Sequence, residues 1–354
     1  MKVSEKICKA TVMFTAFVMS VFAVFCIWSR TASILHSDGL RIITTGLSMY
    51  NTEASSAPVS AAPVKDTSSK SKQTTDSTVT KRTDNSEHKG EQTFLVTESL
   101  FRESNVSYDN FYVKNSTELT LDIGKYLNAP LPFEYEDTSE PQVLIVHTHA
   151  TESYMDDDLG YYYESFYPRD TDDNYNVVRV GKAICDSLKA NGVGAVQCCT
   201  HHDEPQYYGA YDNSAQSILD YMEKYPSIKI ILDIHRDSIT TDDNEKIKPT
   251  FTYNGKKAAQ IMIMCGNDNY GYYSFPNWEQ NLSLALKLHS AAETSYPGMT
   301  RPLYFGNFMY NMNLAPGSLL IEIGTDANTL EEAVYSGEML GNVIADTLRS
   351  AQIQ

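Results

Sequence analysis

The sequence predicts an α/β domain of three layers, a mostly parallel sheet flanked by helices, set behind one transmembrane helix and a disordered tether. Residues 10–29 carry no charged side chain, and residues 51–93 carry no Phe, Trp or Tyr. From Pro141 onward, apolar runs of strand length alternate with helix-like stretches. That alternation is the pattern of parallel strands joined by helical crossovers.

The apolar segment ATVMFTAFVMSVFAVFCIWS fills residues 10–29. As a helix it rises about 30 Å, the thickness of a hydrocarbon core. Lys2, Lys6 and Lys9 precede it and Arg30 follows. This excess of positive charge keeps the N-terminus in the cytoplasm and sends the rest across the cell membrane. A cleaved signal peptide is the rival reading, but the apolar stretch is long for one and no clear A-x-A site follows Trp28. Either way the main body lies outside the cytoplasm. Residues 51–93, dense in Ser, Thr, Lys, Ala and Pro, hold too little apolar surface to offset the entropy of ordering. As a random coil such a tether reaches roughly 35–40 Å. The chain divides into a cytoplasmic tip and anchor (1–30), a juxtamembrane segment and linker (31–93), a lead-in region (94–140) and the α/β domain (141–354).

The 354 residues include 28 Lys+Arg and 45 Asp+Glu, a net charge of −17. Residues 1–92 hold 11 of the basic and 8 of the acidic side chains, which leaves −20 from residue 93 onward. A body that acidic repels a phosphate backbone, and nucleic acid is excluded as a partner. Six cysteines in a chain of this length make no disulfide scaffold, and none forms a CxxC pair.

Within the domain, Val143–Val146 reads as a buried strand. Tyr175–Ala190 reads as a helix stopped by Asn191-Gly192. Val193–Cys198 is a second strand, Ser214–Tyr225 a helix ended by Pro226, and Ile228–Ile234 a third strand. Thr250–Tyr253 and Ala259–Met264 flank the turn signal Asn254-Gly255. Asn281–Thr294 is helical, Leu319–Ile323 is a strand, and Leu330–Leu348 closes the domain as a helix.

In parallel α/β sheets ligands bind beyond the carboxyl ends of the strands. Just past Val146 comes His147-Thr148-His149-Ala150-Thr151-Glu152, and just past Ile234 come His235, Arg236 and Asp237. Inside the apolar run SLLIEIG stands one carboxylate, Glu322. Imidazoles and carboxylates are zinc ligands, and three protein ligands with an open position make a catalytic site. The candidate metal ligands are His147, His149, Glu152 and His235; the candidate catalytic residues are Glu322 and Arg236. A Glu in apolar surroundings has its pKa raised into the range of a proton shuttle. The bland alternative for Glu322 is a buried ion pair with Arg236, Arg301 or Lys182. Asp233 and Asp237 read as partners that orient a ligand histidine or as simple loop and capping groups. His201 and His202 read as a solvated loop.

The stretches VLIVHTHATESY, LDIHRDS, NLSLALKLHSAAETSYPGMTRPLYFGNFMYNMNLAPGSLLIEIG and NTLEEAVYSGEMLG together resemble the stage II sporulation protein P family of membrane-anchored peptidoglycan hydrolases. The resemblance implies the fold of zinc-dependent N-acetylmuramoyl-L-alanine amidases, with Zn2+ as cofactor. It also implies cleavage of the amide between muramic acid and the stem peptide, and endopeptidase action on stem-peptide cross-links. The role it implies is septal wall thinning and engulfment during sporulation, alongside the sporulation stage II proteins D and M. HTHATES carries over to His147, His149 and Glu152, the second motif to His235, and IEIG to Glu322. Related amidases often place a ligand glutamate at the start of the first helix. Here that helix opens with Asp172, Asp173 and Asn174, so Glu152 is taken as the third ligand. Spacing of two along an extended segment lets both His147 and His149 approach a metal, and the choice between them stays open. The rival functions are an inactive wall-binding scaffold of the same fold and another envelope zinc hydrolase.

Overall fold

The structure is a computed structural model and describes residues 88–352 except residue 137. The apolar segment and the tether as far as residue 87 lie outside the described residues. From His88 the chain is already part of the domain: the His88 ring stacks on Tyr163 at 4.0 Å, and the Ser165 hydroxyl donates to Glu91 Oε2 at 2.6 Å.

The lead-in region supplies β1 (Thr93–Ser99), β2 (Val106–Tyr108), β3 (Phe111–Asn115) and the short α1 (Ile123–Asn128), which Asp122 caps. Then come β4 (Val143–Val146), β5 (Tyr161–Tyr163) and α2 (Val177–Ala190). The Asn176 side chain caps α2 by accepting from the Val178 amide at 2.9 Å. β6 (Ala195–Gln197), α3 (Ala210–Lys224) and β7 (Ile230–Asp237) follow. β8 (Lys246–Tyr253), β9 (Lys256–Ala259), β10 (Ile261–Gly266) and α4 (Trp278–Ser295) come next. After β11 (Leu303–Gly306), a 3₁₀ turn (Met312–Leu314) leads into β12 (Ser318–Thr325), and α5 (Leu330–Gln352) ends the described chain. Thr329 and Glu332 form a capping box at the start of α5: Thr329 N donates to Glu332 Oε2 at 3.0 Å and Glu332 N to Thr329 Oγ1 at 3.2 Å.

Eight strands form the main sheet in the order β2-β3-β11-β10-β12-β7-β4-β6. All neighbours are parallel except β2/β3 and β10/β12. The hairpin expected around Asn254-Gly255 forms between β8 and β9, but the second apolar run splits. Lys256–Ala259 stays in the hairpin, while Ile261–Gly266 crosses to the main sheet beside β12. β8 and β9 join β1 and β5 in a separate sheet, ordered β5-β1-β8-β9. The sequence did not announce that sheet, because β1 and β8 pair in parallel across a long stretch of chain (Val96↔Lys246).

Alternation along the strands sends Ile145, Leu232, Ile234, Ile321, Ile323 and Ile263 to one face of the main sheet. There they pack with Val180 and Ile184 of α2, Leu282 and Leu286 of α4, and Leu340 and Ile344 of α5. The other face is covered where Ile218 of α3 packs on Leu144, Val146 and Ile231, and Leu320 and Met264 are buried on it as well. Beyond that, Glu322, Met262 and Tyr304 on the same face are half-buried. The expected three layers are therefore complete on one side and partial on the other, and the gap is where the polar strand residues face.

Candidate active site

Glu322 of β12 pairs in register with His235 of β7, and Leu320 with Asp233. Cross-strand partners share a face, so Asp233, His235 and Glu322 all project from the half-open face. The ladder shifts register just after Glu322, before Thr325 meets Asp237; irregularities of this kind re-aim side chains next to functional sites.

His235 is buried between two carboxylates. Nδ1 lies 3.3 Å from Glu152 Oε2, and Nε2 lies 3.0 Å from Asp233 Oδ1, close enough for an ion pair although the angle is poor for a hydrogen bond. Burial alone lowers a histidine pKa, but Asp233 and Glu152 outweigh it and push the His235 value well above the ordinary one. Asp233 is itself fixed: the Thr148 amide donates to Oδ1 at 2.8 Å and the Thr148 hydroxyl to Oδ2 at 2.6 Å. It is the partner that orients His235.

Glu152 lies in the loop after β4. Its carbonyl accepts from the Val177 amide at 2.8 Å, which docks the residue on the start of α2. That is where the resemblance places a ligand glutamate, while Asp172, Asp173 and Asn174 are exposed. The Arg236 amide donates to Glu152 Oε2 at 3.2 Å, and guanidinium nitrogens of Arg236 and Arg169 lie 3.8 and 3.9 Å from Oε1. Despite its desolvation, Arg236 and then His235 hold the Glu152 carboxyl well below the usual range. Arg236 spends its other donors on the Ser153 carbonyl at 3.1 Å and the Pro168 carbonyl at 2.7 Å. It braces Glu152 and does not face the open side, which moves it from the expected catalytic role to a positioning one.

The two histidines after β4 separate. Thr148–Thr151 form a turn, so the parity of an extended segment does not apply and the residues do not point the same way. His147 continues the strand's alternation toward α2. Its Nδ1 donates to the Ile234 carbonyl at 3.0 Å, and its Nε2 accepts from Gln197 Nε2 at 3.0 Å. Burial lowers its pKa to about 4. With both nitrogens engaged, His147 is not brought to the cluster. His149 is: its ring stacks on Tyr207 at 4.3 Å and stands edge-on to His235 at 5.4 Å. Its Nδ1 is buried with no hydrogen-bond partner, and burial brings its pKa to about 4.

Glu322 Oε2 is likewise buried without a partner. The bland ion pairs expected for it are taken elsewhere. Arg301 donates to Asp237 Oδ2 at 2.8 Å, Arg236 serves Glu152, and Lys182 pairs with Asp186 on the surface. Burial first, and then the Asp237 charge, raise the Glu322 pKa to about 8.

Tyr207, Tyr211 and Arg169 at the site carry no signal in the sequence, where His201 and His202 read as a solvated loop. Tyr211, one turn after Tyr207 at the head of α3, stands edge-on to His149 at 5.6 Å. Arg169 lies over the Tyr207 ring at 4.8 Å and donates to Asp203 Oδ2 at 2.9 Å. His202 is buried and not solvated: Nδ1 lies 2.8 Å from the His147 carbonyl and Nε2 2.9 Å from Ser217 Oγ. His201 sits 2.7 Å from Asp173 Oδ1.

Among the described residues no three His, Cys, Asp or Glu side chains are drawn together tightly enough to hold an ion as they stand. The donor set nonetheless fits a catalytic zinc. His149, Glu152 and His235 supply two imidazoles and a carboxylate, and His149 Nδ1 is an orphaned buried nitrogen beside them.

Fold and site thus define an α/β protein with a buried histidine–carboxylate centre on a half-open sheet face. The profile of the stage II sporulation protein P family (SpoIIP) matches residues 37–345, and the chain belongs to that family. Stage II sporulation protein P of Bacillus subtilis (strain 168) is 28% identical over 228 residues, covering 59% of this chain and 52% of the relative. The chain therefore spans about half the length of that curated relative. Among solved structures, N-acetylmuramoyl-L-alanine amidase AmiC2 of Nostoc punctiforme superposes with a TM-score of 0.33 at 13% identity, over 61% of this chain and 99% of the other. The N-acetylmuramoyl-L-alanine amidase of Clostridium difficile 630 gives 0.36 at 16% identity, over 61% and 99%. Likenesses of that size carry no inference about activity. No helix among the described residues is long and apolar enough to cross a membrane.

Proposed function

We propose that this protein is a peptidoglycan hydrolase, a zinc-dependent N-acetylmuramoyl-L-alanine amidase in which His149, Glu152 and His235 hold the metal and Glu322 moves the proton. One observation carries the reading: a carboxyl with one buried, unpartnered oxygen and its pKa raised to about 8 stands in register beside His235. Membership of the sporulation family supports the choice of substrate.

Zinc bound there supplies Lewis acidity toward the attacking water and the amide carbonyl. Glu322 accepts a proton from that water and returns it to the leaving amine nitrogen, so the C–N bond breaks without expelling an amide anion. A positive charge placed beside Glu322 lowers its pKa toward neutrality, where a carboxyl exchanges protons in both directions. Asp233 and Arg236 act through others, the first fixing the His235 ring and the second Glu152. Endopeptidase action on cross-links, a membrane anchor at residues 10–29 with the domain outside, and work with the stage II proteins D and M at the septum belong to the same proposal. Family membership and the N-terminal charge pattern support them.

The test is digestion of purified sacculi by the full chain, with and without chelator, followed by mass analysis. Chelator-sensitive release of intact stem peptides is expected. Cut cross-links alone would make the protein an endopeptidase and released acetate a deacetylase. No product from a folded, metal-loaded chain would leave a wall-binding scaffold.

A further inference from the structure

A run of aromatic rings leaves the site across the open part of the sheet face. Tyr211 stacks on Tyr310 at 5.2 Å, Tyr310 meets Phe308 at 5.1 Å, and Phe308 stacks on Tyr304 of β11 at 5.9 Å. All four rings are half-buried, with area left toward solvent. The ladder starts at the site, where Tyr211 stands edge-on to His149 at 5.6 Å.

The segment that carries these rings is built at a cost. Tyr310 and Asn311 both have left-handed backbone, φ 44° and 59°, a rare state for a bulky residue and one that persists only when its surroundings impose it. Asn311 Nδ2 imposes it here by donating to the Tyr211 carbonyl at 2.8 Å and reaching Ser214 Oγ at 3.1 Å. Phe308 folds back onto glycine: a Cβ at Gly266 would come within 1.9 Å of its carbonyl oxygen, and one at Gly306 within 2.5 Å of its ring. A loop whose only task was to cover apolar strands would not need this strain.

The surface beside the ladder is neutral. Register places half-buried Met262 and Tyr304 and buried Leu320 and Met264, none of them charged, between Glu322 and the exposed Lys114 on this face. On the opposite flank, Arg169 lies over Tyr207. A stem peptide bears carboxylates, which a neutral shelf on a body of charge −20 does not attract. Sugar rings bear none on their ring faces and pack flat on aromatic ones.

We propose that Tyr211, Tyr310, Phe308 and Tyr304 form a sugar-binding track that seats the glycan strand, leaving the peptide on the Arg169 side of the scissile amide. This rests on the proposed hydrolase reading and adds to it which part of the wall polymer lies where.

The test uses the full chain carrying Glu322→Gln, so that binding is read without turnover, and soluble β-1,4-linked N-acetylglucosamine oligomers as a peptide-free probe. Binding is expected, and adding Phe308→Ala with Tyr304→Ala weakens it roughly tenfold. Tyr304→Phe, which keeps the ring, binds as the parent does. In the chain with native Glu322, the two alanines raise KM on sacculi and leave kcat unchanged. The track is overturned if the oligomers do not bind, if a folded double-alanine variant binds them equally, or if a free stem peptide titrates the same residues. Ring-dependent binding in a chain that hydrolyses nothing would sink the hydrolase reading alone. Hydrolysis indifferent to both alanines would sink the track alone.

Discussion

On its helix-covered face the main sheet presents Ile145, Leu232, Ile234, Ile321 and Ile323, packed against α2, α4 and α5. On the other face the same strands present Asp233, His235 and Glu322 beside Leu144, Val146 and Ile231. Backbone pairing is shared, so the difference lies in side chains one residue apart. On the covered face His147 has a partner for each nitrogen, while His289 Nδ1 and Asn281 Oδ1 on α4 have none. On the half-open face Glu322 and His149 each keep a buried atom without one. An unsatisfied buried polar atom costs about 1–3 kcal/mol, and on this face the cost falls on groups that a ligand could satisfy. The first face holds the protein together; the second holds groups ready for a ligand.

The sharpest way to break this contrast is Glu322→Gln. The change keeps shape and removes the proton shuttle, so kcat on sacculi falls by about two orders of magnitude or more. Zinc content stays, and thermal stability does not fall. A variant that loses stability and keeps its rate would return Glu322 to the structural side.

His147→Ala against His149→Ala is the next test. Loss of the His147 ring strands Gln197 and the Ile234 carbonyl and costs about 1–3 kcal/mol, seen in urea denaturation, while zinc content is retained. His149→Ala does the reverse, losing zinc and activity with little change in stability. Metal lost from the first variant and kept in the second would mean the assignment of the two histidines is inverted.

The contrast also explains what could be read from the sequence. β4, β7 and β12 were legible because each holds an unbroken apolar run, and Asp233, His235 and Glu322 stood out as polar residues within or just after the runs of β7 and β12. The second sheet was not, since Lys246, Lys248 and Glu98 of β8 and β1 look like solvated residues. They are stabilised by ion pairs that only the fold assembles, among them Lys248 with Asp158 at 2.8 Å and with Glu332 at 2.9 Å. His147 and His149 could not be told apart because the turn at Thr148–Thr151 breaks the period-two rule. Glu152 reaches the start of α2 only through loop packing. The aromatic ladder depends on left-handed backbone at Tyr310 and Asn311, which their side chains do not advertise.

The smallest expected effect is in the pH dependence of stability. His147 and His289 are both buried on the helix-covered side, and burial lowers their pKa values to about 4 and about 3. His289 keeps one contact, Nε2 at 3.1 Å from Thr300 Oγ1, and meets Phe111 edge-on at 5.3 Å. In the unfolded chain both return to the ordinary histidine value of 6.5, so below that pH the unfolded state binds protons that the folded state refuses. Their contribution is therefore complete above pH 6.5 and is lost as pH falls toward 4 and 3, at about 1.4 kcal/mol per pH unit for each group within its window. His235 has the opposite sign, because Asp233 and Glu152 raise its pKa: its contribution is full below 6.5 and fades as pH rises through the folded value. Urea denaturation of the full chain between pH 7 and 4 should show a shallower acid loss for His289→Asn than for the parent. His235→Asn is expected to differ from the parent above pH 6.5, where that contribution fades, and to add nothing to the acid loss below it. Equal acid slopes in the parent and His289→Asn would mean that the covered face does not keep its imidazoles neutral, and the distinction between the two faces would fail at its electrostatic root.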